Sequence, residues 1–185
     1  VIDSQSLFSA QAGSAAEAVR LREAGMNLQR IRERLDHLIP HVHGYLVPRD
    51  LYYMRARARH KGDRSVSLFS AALGSALDIK PVIHSRGGQT APSAKIKGFE
   101  PACERLFAFA IERISVGLLS PTLCVSYGGE LSELRALPGY DALRSHCKAN
   151  AVELLESVMS LTGMINVGKG AVTLAFADDK APVFH

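Results

Sequence analysis

The sequence predicts an α/β fold, with α+β as the alternative. Two observations carry this prediction. Apolar residues at helical spacing alternate along the 185 residues with short apolar runs typical of strands, and two adjacent glycines join two of these runs as a hairpin. The composition, 47% hydrophobic and 22% charged, is ordinary for a globular domain and argues against disorder. No run reaches the roughly eighteen apolar residues that span a bilayer, so stable membrane insertion is not expected.

Capping and stop residues mark two helices at the start of the chain. Ser14 and Glu17 fit a capping box, which predicts a helix beginning at Ser14 and ending near Gly25. A second helix is predicted after Asn27, because apolar residues recur there at helical spacing until Pro40.

The middle of the chain predicts a strand, two helices and a hairpin. Residues 41–47 alternate loosely as a short strand, and Asp50 can cap a helix that follows it. A broad apolar stripe over Leu68–Leu77 predicts the next helix. Pro81 marks the start or edge of a strand because it lacks an N–H group. Gly87 and the glycine after it allow the positive φ angles of a tight turn into a return strand.

The last third predicts further alternation of helices and strands. Residues 101–114 read as a helix with proline in its first turn, and 122–127 as a buried strand. Two short helices follow, interrupted at Pro138, and the segment 154–165 fits either a helix or a strand. A final strand is predicted over 171–176.

The three cysteines and the net charge exclude several classes of protein. Cys103, Cys124 and Cys147 are odd in number and widely spaced, which indicates reduced thiols of a cytoplasmic protein rather than a disulfide framework or a zinc site. The net charge of +4 is compatible with an acidic partner but falls short of a nucleic-acid-binding signature. No nucleic acid is therefore expected as a partner.

Two functional hypotheses remain open from the residues alone. The loop from Gly163 to Gly170 is one residue short of a P-loop, because glycine follows Lys169 where that motif needs Ser or Thr for Mg²⁺. A phosphate-binding enzyme using this loop is one alternative, and an ordinary glycine turn is the simpler interpretation. The other alternative is a basic interaction module built on Arg55, Arg57 and Arg59, which otherwise form an exposed face.

A histidine pair suggests metal binding only weakly. His41 and His43 could lie on one face of a strand, as two metal ligands would. No third ligand at suitable spacing accompanies them, so no metal or other cofactor is predicted.

Five segments, taken in order along most of the chain, resemble the DegV family of bacterial fatty-acid-binding proteins. Residues 79–81, Ile-Lys-Pro, lie within the most specific of these segments. The segments are Val1–Ser4, Arg49–Arg55, Ala72–Ile83, Lys95–Lys97 and Gly168–Ala171.

The resemblance implies a binding protein rather than an enzyme. Members of the family are two-lobed cytosolic carriers that enclose one fatty acid, and several present its carboxylate to a separate catalytic subunit of a fatty acid kinase. The expected partners are therefore a long-chain fatty acid and such a kinase subunit. The resemblance further implies a mixed sheet flanked by helices, with residues 1–40 as the remainder of an N-terminal lobe whose start is absent. Residues 41–185 would form the C-terminal lobe.

The resemblance also implies where the fatty acid would bind. Lys97 stands where the family usually has arginine, so it retains the charge but loses the bidentate fork. The histidine of the family's closing motif is not present here; with a two-residue gap Asn166 stands in its place, and without that gap no residue does. The residues expected at the head-group end are Lys97, Asn166, Gly168 and Gly170, and those expected along the tail are Leu51, Met54, Phe69 and Leu73.

Overall fold

A single six-stranded sheet organises the fold. It is seen in a computed structural model that describes residues 1–52, 78–180 and 182–184. The strands are β1 (Val42–Val47), β2 (Ile79–Arg86), β3 (Gln89–Lys97), β4 (Thr122–Tyr127), β5 (Glu153–Val158) and β6 (Val172–Ala177). Their order is β3-β2-β1-β6-β4-β5, and only the β4–β5 pair is parallel within the described ranges. The sheet is therefore mixed, and with helices on both faces it confirms the predicted α/β class.

Helices cover the two faces of the sheet. They are α1 (Ser9–Glu23), α2 (Leu28–Leu38), α3 (Phe99–Val116), α4 (Leu131–Arg135), α5 (Tyr140–Ala149) and α6 (Leu161–Val167), with a 3₁₀ turn at Ile39–His41. Successive side chains of β6 point alternately to the two faces of the sheet. Its Leu174 and Phe176 pack in the core beneath α3 and α5, whereas Ala175 and Ala177 pack in the core beneath α1 and α2. Among the residues that the structure describes, no helix is both long and apolar enough to cross a membrane.

The β2–β3 hairpin forms as the sequence predicts. Arg86 pairs with Gln89 across a two-residue loop, in which Gly87 and Gly88 have φ angles of 55° and 73°. Positive φ at both positions matches the twist of antiparallel strands, and glycine adopts it without strain. The Gly88 N–H also donates to the Gln5 carbonyl at 2.8 Å. The hairpin therefore holds the N-terminal segment against the sheet.

The predicted start of α1 at Ser14 is wrong. The helix begins at Ser9, and Ser14 is a buried residue in its interior. The capping box does not form because the Glu17 carboxylate is fully buried and bonded elsewhere. The predicted stop at Gly25, where φ is 78°, is confirmed.

The remaining predicted elements within the described ranges are confirmed. Asn27 caps α2 by accepting a hydrogen bond from the Arg30 N–H at 3.0 Å. The ambiguous segment 154–165 contains both alternatives, because β5 ends at Val158 and Ser160 caps α6. The helices predicted after Asp50 and over 68–77, with the arginines at 55, 57 and 59, lie outside the described residues.

A buried carboxylate joins α1, α2 and the loop before β4. Glu17 has no exposed side-chain surface, and it accepts hydrogen bonds from Arg20 at 2.9 and 3.0 Å and from Arg34 at 3.1 Å. Ser120 donates a further bond at 3.0 Å. Burial alone would raise the pKa of this carboxyl group, but the bonds from Arg20, Ser120 and Arg34 outweigh it and hold the pKa below its usual value.

Replacing this carboxylate should destabilise the fold. Glu17→Gln keeps the side-chain volume but leaves both arginines without their buried partner, so we expect the free energy of unfolding to fall by about 2 kcal/mol. Urea unfolding followed by circular dichroism measures the change. The control is Glu33→Gln on exposed α2 surface, which should cost less than about 0.5 kcal/mol; equal effects of the two substitutions would contradict the role assigned to Glu17.

Candidate functional site

A cavity of about 270 Å³ lies between residues 5–9 and the sheet face that carries α1. Its floor is formed by β1 and β2, and its far side by β6. The apolar part of the wall comes from Leu7, Phe8, Leu46 and Ile83. Of the described residues that line the cavity, none is charged.

The close approach of α1 to the sheet depends on a glycine in the cavity floor. A Cβ atom at Gly44 would lie 2.5 Å from the Ser85 Oγ and 3.2 Å from the Ala10 Cβ. The first of these distances is too short for any side chain, so only glycine fits while Ser85 and Ala10 keep their positions. The sequence thereby brings the start of α1 next to β1 and β2.

The cavity adjoins α6 at one end. Phe8 and Leu46 belong to its wall and also pack against a small apolar cluster of Met159, Val167 and Ala171. This cluster fixes the N-terminal segment from the side opposite the hairpin.

The polar part of the wall consists mostly of hydroxyl groups. Thr173 forms a buried hydrogen bond of 2.6 Å with Ser126, and the Ser85 Oγ donates to the Gly44 carbonyl at 3.3 Å. The hydroxyl-bearing residues of the wall are Ser6, Ser9, Tyr45, Ser85, Thr90 and Thr173, and Gln5 is a further polar residue there. An apolar, uncharged cavity with a few polar groups is typical of a small-molecule site.

Sequence reasoning missed this cavity. Ser4, Ser6 and Ser9 give a local cluster of hydroxyls, but the segment has no recognisable periodicity. Its position over β1 and β2 depends on the tertiary contact between Gln5 and the hairpin, which no local pattern reveals.

None of the four predicted head-group residues belongs to the described wall of this cavity. Lys97 is exposed at the end of β3. It lies seven residues along the strand from Thr90 of the cavity wall. At about 3.3 Å per residue, the two residues are roughly 23 Å apart. The Asn166 side chain donates to the Thr162 carbonyl at 2.8 Å. Gly168 and Gly170 lie together in the loop between α6 and β6, with φ angles of 93° and 77°.

Of the four predicted tail residues, the structure describes only Leu51. Leu51 is half-buried and is not part of the cavity wall. Met54, Phe69 and Leu73 lie outside the described residues.

A second, polar cavity of about 570 Å³ borders the loop before β6. Arg49 and Lys169 contribute two cations to its wall, and Glu100 and Glu133 contribute two carboxylates. Arg49 is already engaged, since it donates to Glu100 at 3.3 Å and lies 4.7 Å above the Phe99 ring. The balanced charges make this cavity a poor match for a phosphate group.

The loop itself also lacks the geometry of a P-loop. Gly163 lies inside α6, and β6 begins at Val172 directly after the loop. A P-loop requires a following helix whose N–H groups face the phosphates.

His41 and His43 do not lie on one face of a strand, because His41 belongs to the 3₁₀ turn that precedes β1. His43 is buried in β1, where its Nδ1 lies 2.9 Å from the Nε2 of His84 and its Nε2 lies 3.1 Å from the Asp178 carbonyl oxygen. His41 instead lies beside the ring of His37, at 5.6 Å between centroids. Within residues 1–52, 78–180 and 182–184, no group of three or more His, Cys, Asp or Glu could hold a metal ion.

An α/β domain with an apolar, uncharged cavity defines a class of ligand-binding proteins rather than a particular one. The particular family follows from the sequence as a whole. The chain belongs to the DegV family, because the family model described as "Uncharacterised protein, DegV family" matches residues 1–179.

A relative and two solved structures agree with this assignment. A DegV domain-containing protein of Xanthomonas campestris pv. campestris is 62% identical over 177 residues, covering 96% of this chain and 56% of that protein. A fatty-acid-binding DegV family protein from Streptococcus agalactiae has a TM-score of 0.71 at 21% identity, covering 97% of this chain and 60% of its own. DegV, a fatty acid binding protein from Bacillus subtilis, has a TM-score of 0.69 at 24% identity, covering 95% and 59%.

These matches establish the family and the fold. At the identities of the two solved structures, the likeness shows the fold alone. The chain spans little more than half the length of each of these three proteins.

The contact between His43 and His84 predicts that the stability of the fold depends on pH. Burial, with His84 and Arg86 nearby, lowers the pKa of His43 from 6.5 to about 4. Between these values the unfolded chain binds a proton that the folded protein excludes. Stability is therefore fully present above pH 6.5 and lost as the pH falls towards 4, by about 3 kcal/mol in all. Urea unfolding at intervals from pH 7 to pH 4 measures the slope, which His43→Gln should flatten; unchanged slopes would contradict the assignment.

Proposed function

We propose that this protein binds a long-chain fatty acid in the apolar cavity and presents its carboxylate to a separate kinase subunit. The observation that carries the proposal is the cavity itself, whose wall combines apolar side chains with hydroxyls and no charge in its described part. A charged group enclosed in the cavity would lose its hydration without gaining a countercharge. An acyl chain carries no charge, so its transfer into the cavity has no such cost.

The size of the cavity matches a large part of an acyl chain. An apolar cavity of about 150 Å³ holds one benzene molecule of six carbon atoms, so one of about 270 Å³ holds about eleven non-hydrogen atoms. Burying about ten methylene groups contributes about 8 kcal/mol before the costs of association. The tail therefore supplies enough free energy for retention.

The related structures support the same ligand class. The proteins from S. agalactiae and B. subtilis are each described as fatty-acid-binding. We carry this property to the present chain as a proposal, together with a non-catalytic role and a cytoplasmic location. The free thiols of Cys103, Cys124 and Cys147, all buried, are compatible with such a location.

Several finer features also remain proposals. These are the division into residues 1–40 and 41–185 and the presentation of the carboxylate to a kinase. We also propose that the head group lies near Lys97, Asn166, Gly168 and Gly170, and that the tail lies along Leu51, Met54, Phe69 and Leu73.

Mass spectrometry of the organic extract from freshly purified protein tests the proposed function. We expect about one fatty acid per protein molecule. Leu46→Trp should abolish retention, because the indole fills the cavity from its β1 wall. Leu154→Trp is the matched control, since Leu154 is equally half-buried but packs against the core on the other face of the sheet. An empty extract from the unsubstituted protein, with no binding of added fatty acid, would contradict the proposal.

The predicted role of Lys97 can be tested by substitution, with Lys95 as the matched control. Lys95 and Lys97 are both exposed on β3 and point to the same face. If Lys97 neutralises the carboxylate, Lys97→Ala should weaken fatty-acid binding about fivefold, the effect of a partly exposed charge pair, whereas Lys95→Ala should not. Fluorescence displacement of a bound fatty-acid analogue measures both, and equal affinities would remove Lys97 from the site.

A further inference from the structure

The apolar cavity runs across four adjacent strands, from an exposed end to a buried end. Its wall includes Thr90 of β3 and Thr173 of β6, and β2 and β1 lie between these two strands. Three strand spacings of about 4.8 Å give a length of roughly 14 Å. Thr90, Gln5 and Gly88 of the wall are exposed, whereas Thr173 is buried. A ligand therefore enters from the hairpin, and its far end reaches β6.

A hydroxyl proton without an acceptor lies at the buried end of the cavity. The hydroxyl oxygens of Thr173 and Ser126 are 2.6 Å apart, in a hydrogen bond that either group can donate. The two residues are 3% and 5% exposed. Each hydroxyl carries one proton, so one of the two protons is left over whichever group donates. Neither hydroxyl makes a second hydrogen bond within the described part of the chain.

The surroundings of this hydroxyl pair are apolar. Leu46 pairs with Thr173 across β1 and β6, and it packs against the cluster of Met159, Val167 and Ala171. A buried donor without a partner costs free energy, because it has lost its hydrogen bond to water. In a ligand site, one polar group among apolar side chains determines where the ligand carries its own polar group.

We propose that this protein selects a fatty acid with a hydroxyl group at the end remote from the carboxylate, and that Thr173 binds this hydroxyl. The inference rests on the proposed fatty-acid binding and adds the class of acid. The ligand hydroxyl accepts the unused proton of the pair. It donates its own proton to a lone pair of the same two oxygens, since a hydroxyl oxygen accepts two hydrogen bonds. A methyl group in this position would leave the proton unpaired.

The absence of charge in the described wall agrees with a hydroxyl rather than a second carboxylate. A carboxylate at the buried end would lose its hydration and gain at most one hydrogen bond from the Thr173 and Ser126 pair. An uncharged hydroxyl has a much smaller hydration to lose, and the pair replaces it.

Isothermal titration with palmitate and with 16-hydroxyhexadecanoic acid tests the inference. We expect the unsubstituted protein to bind the hydroxy acid about tenfold more tightly than palmitate, the effect of pairing one buried donor. The isomer 2-hydroxyhexadecanoic acid is the ligand control. Its hydroxyl lies beside the carboxylate and cannot reach β6, so it should bind like palmitate.

Substitutions of Thr173 assign the preference to its hydroxyl. Thr173→Val removes the hydroxyl with little change of shape and should abolish the preference, whereas Thr173→Ser keeps the hydroxyl and should retain it. Thr122→Val is the matched control, because Thr122 is a buried threonine of β4 that does not line this cavity. Circular dichroism shows whether each variant is folded, and the comparison of the three acids on the unsubstituted protein needs no variant.

The outcomes separate the two proposals. A preference for 16-hydroxyhexadecanoic acid that is lost only in Thr173→Val supports the inference. Equal affinities of the unsubstituted protein for the three acids, or a preference that survives Thr173→Val, overturn the inference while leaving fatty-acid binding intact. Failure of the unsubstituted protein to bind any of these acids overturns the proposed function, and the inference with it.

Discussion

The close contact of α1 with the sheet at Gly44 sets the position of every other part of the candidate site. Ser85 and Ala10 fill the space on either side of this glycine, so the helix lies directly on β1. Its first turn consequently reaches the level of β2, where the N-terminal segment bonds to the hairpin through Gln5 and Gly88. The cavity is the space that remains between that segment and the strands. A side chain at Gly44 would require the Ser85 hydroxyl to rotate away and Ala10 of α1 to shift by a few tenths of an ångström.

The buried polar groups of the protein fall into two kinds. Glu17 is buried with hydrogen bonds from Arg20, Arg34 and Ser120, and His43 is buried with contacts to His84 and the Asp178 carbonyl. These groups are satisfied within the fold and explain its stability. The Ser6 Oγ differs because it is buried without a hydrogen-bond partner among the described residues. That contrast distinguishes the polar groups that support the structure from those available to a ligand.

Local patterns predicted the elements well, because their causes are local. Gly87 and Gly88 specify the hairpin through their own φ angles, and Asn27 caps α2 through a neighbouring N–H. The prediction for α1 failed where the cause was distant, since the Glu17 carboxylate is bonded to Arg34 and Ser120 rather than to its own helix terminus. The cavity could not be predicted for the same reason. It arises where segments remote in sequence meet, and its hydroxyls carry no signature of their own.

A crystal structure with 16-bromohexadecanoic acid tests the central claim most directly, because anomalous scattering locates the bromine at the methyl end of the acyl chain. We expect the bromine to lie in the apolar cavity near Leu46 and Ile83. A bromine atom outside this cavity would contradict the proposed acyl site.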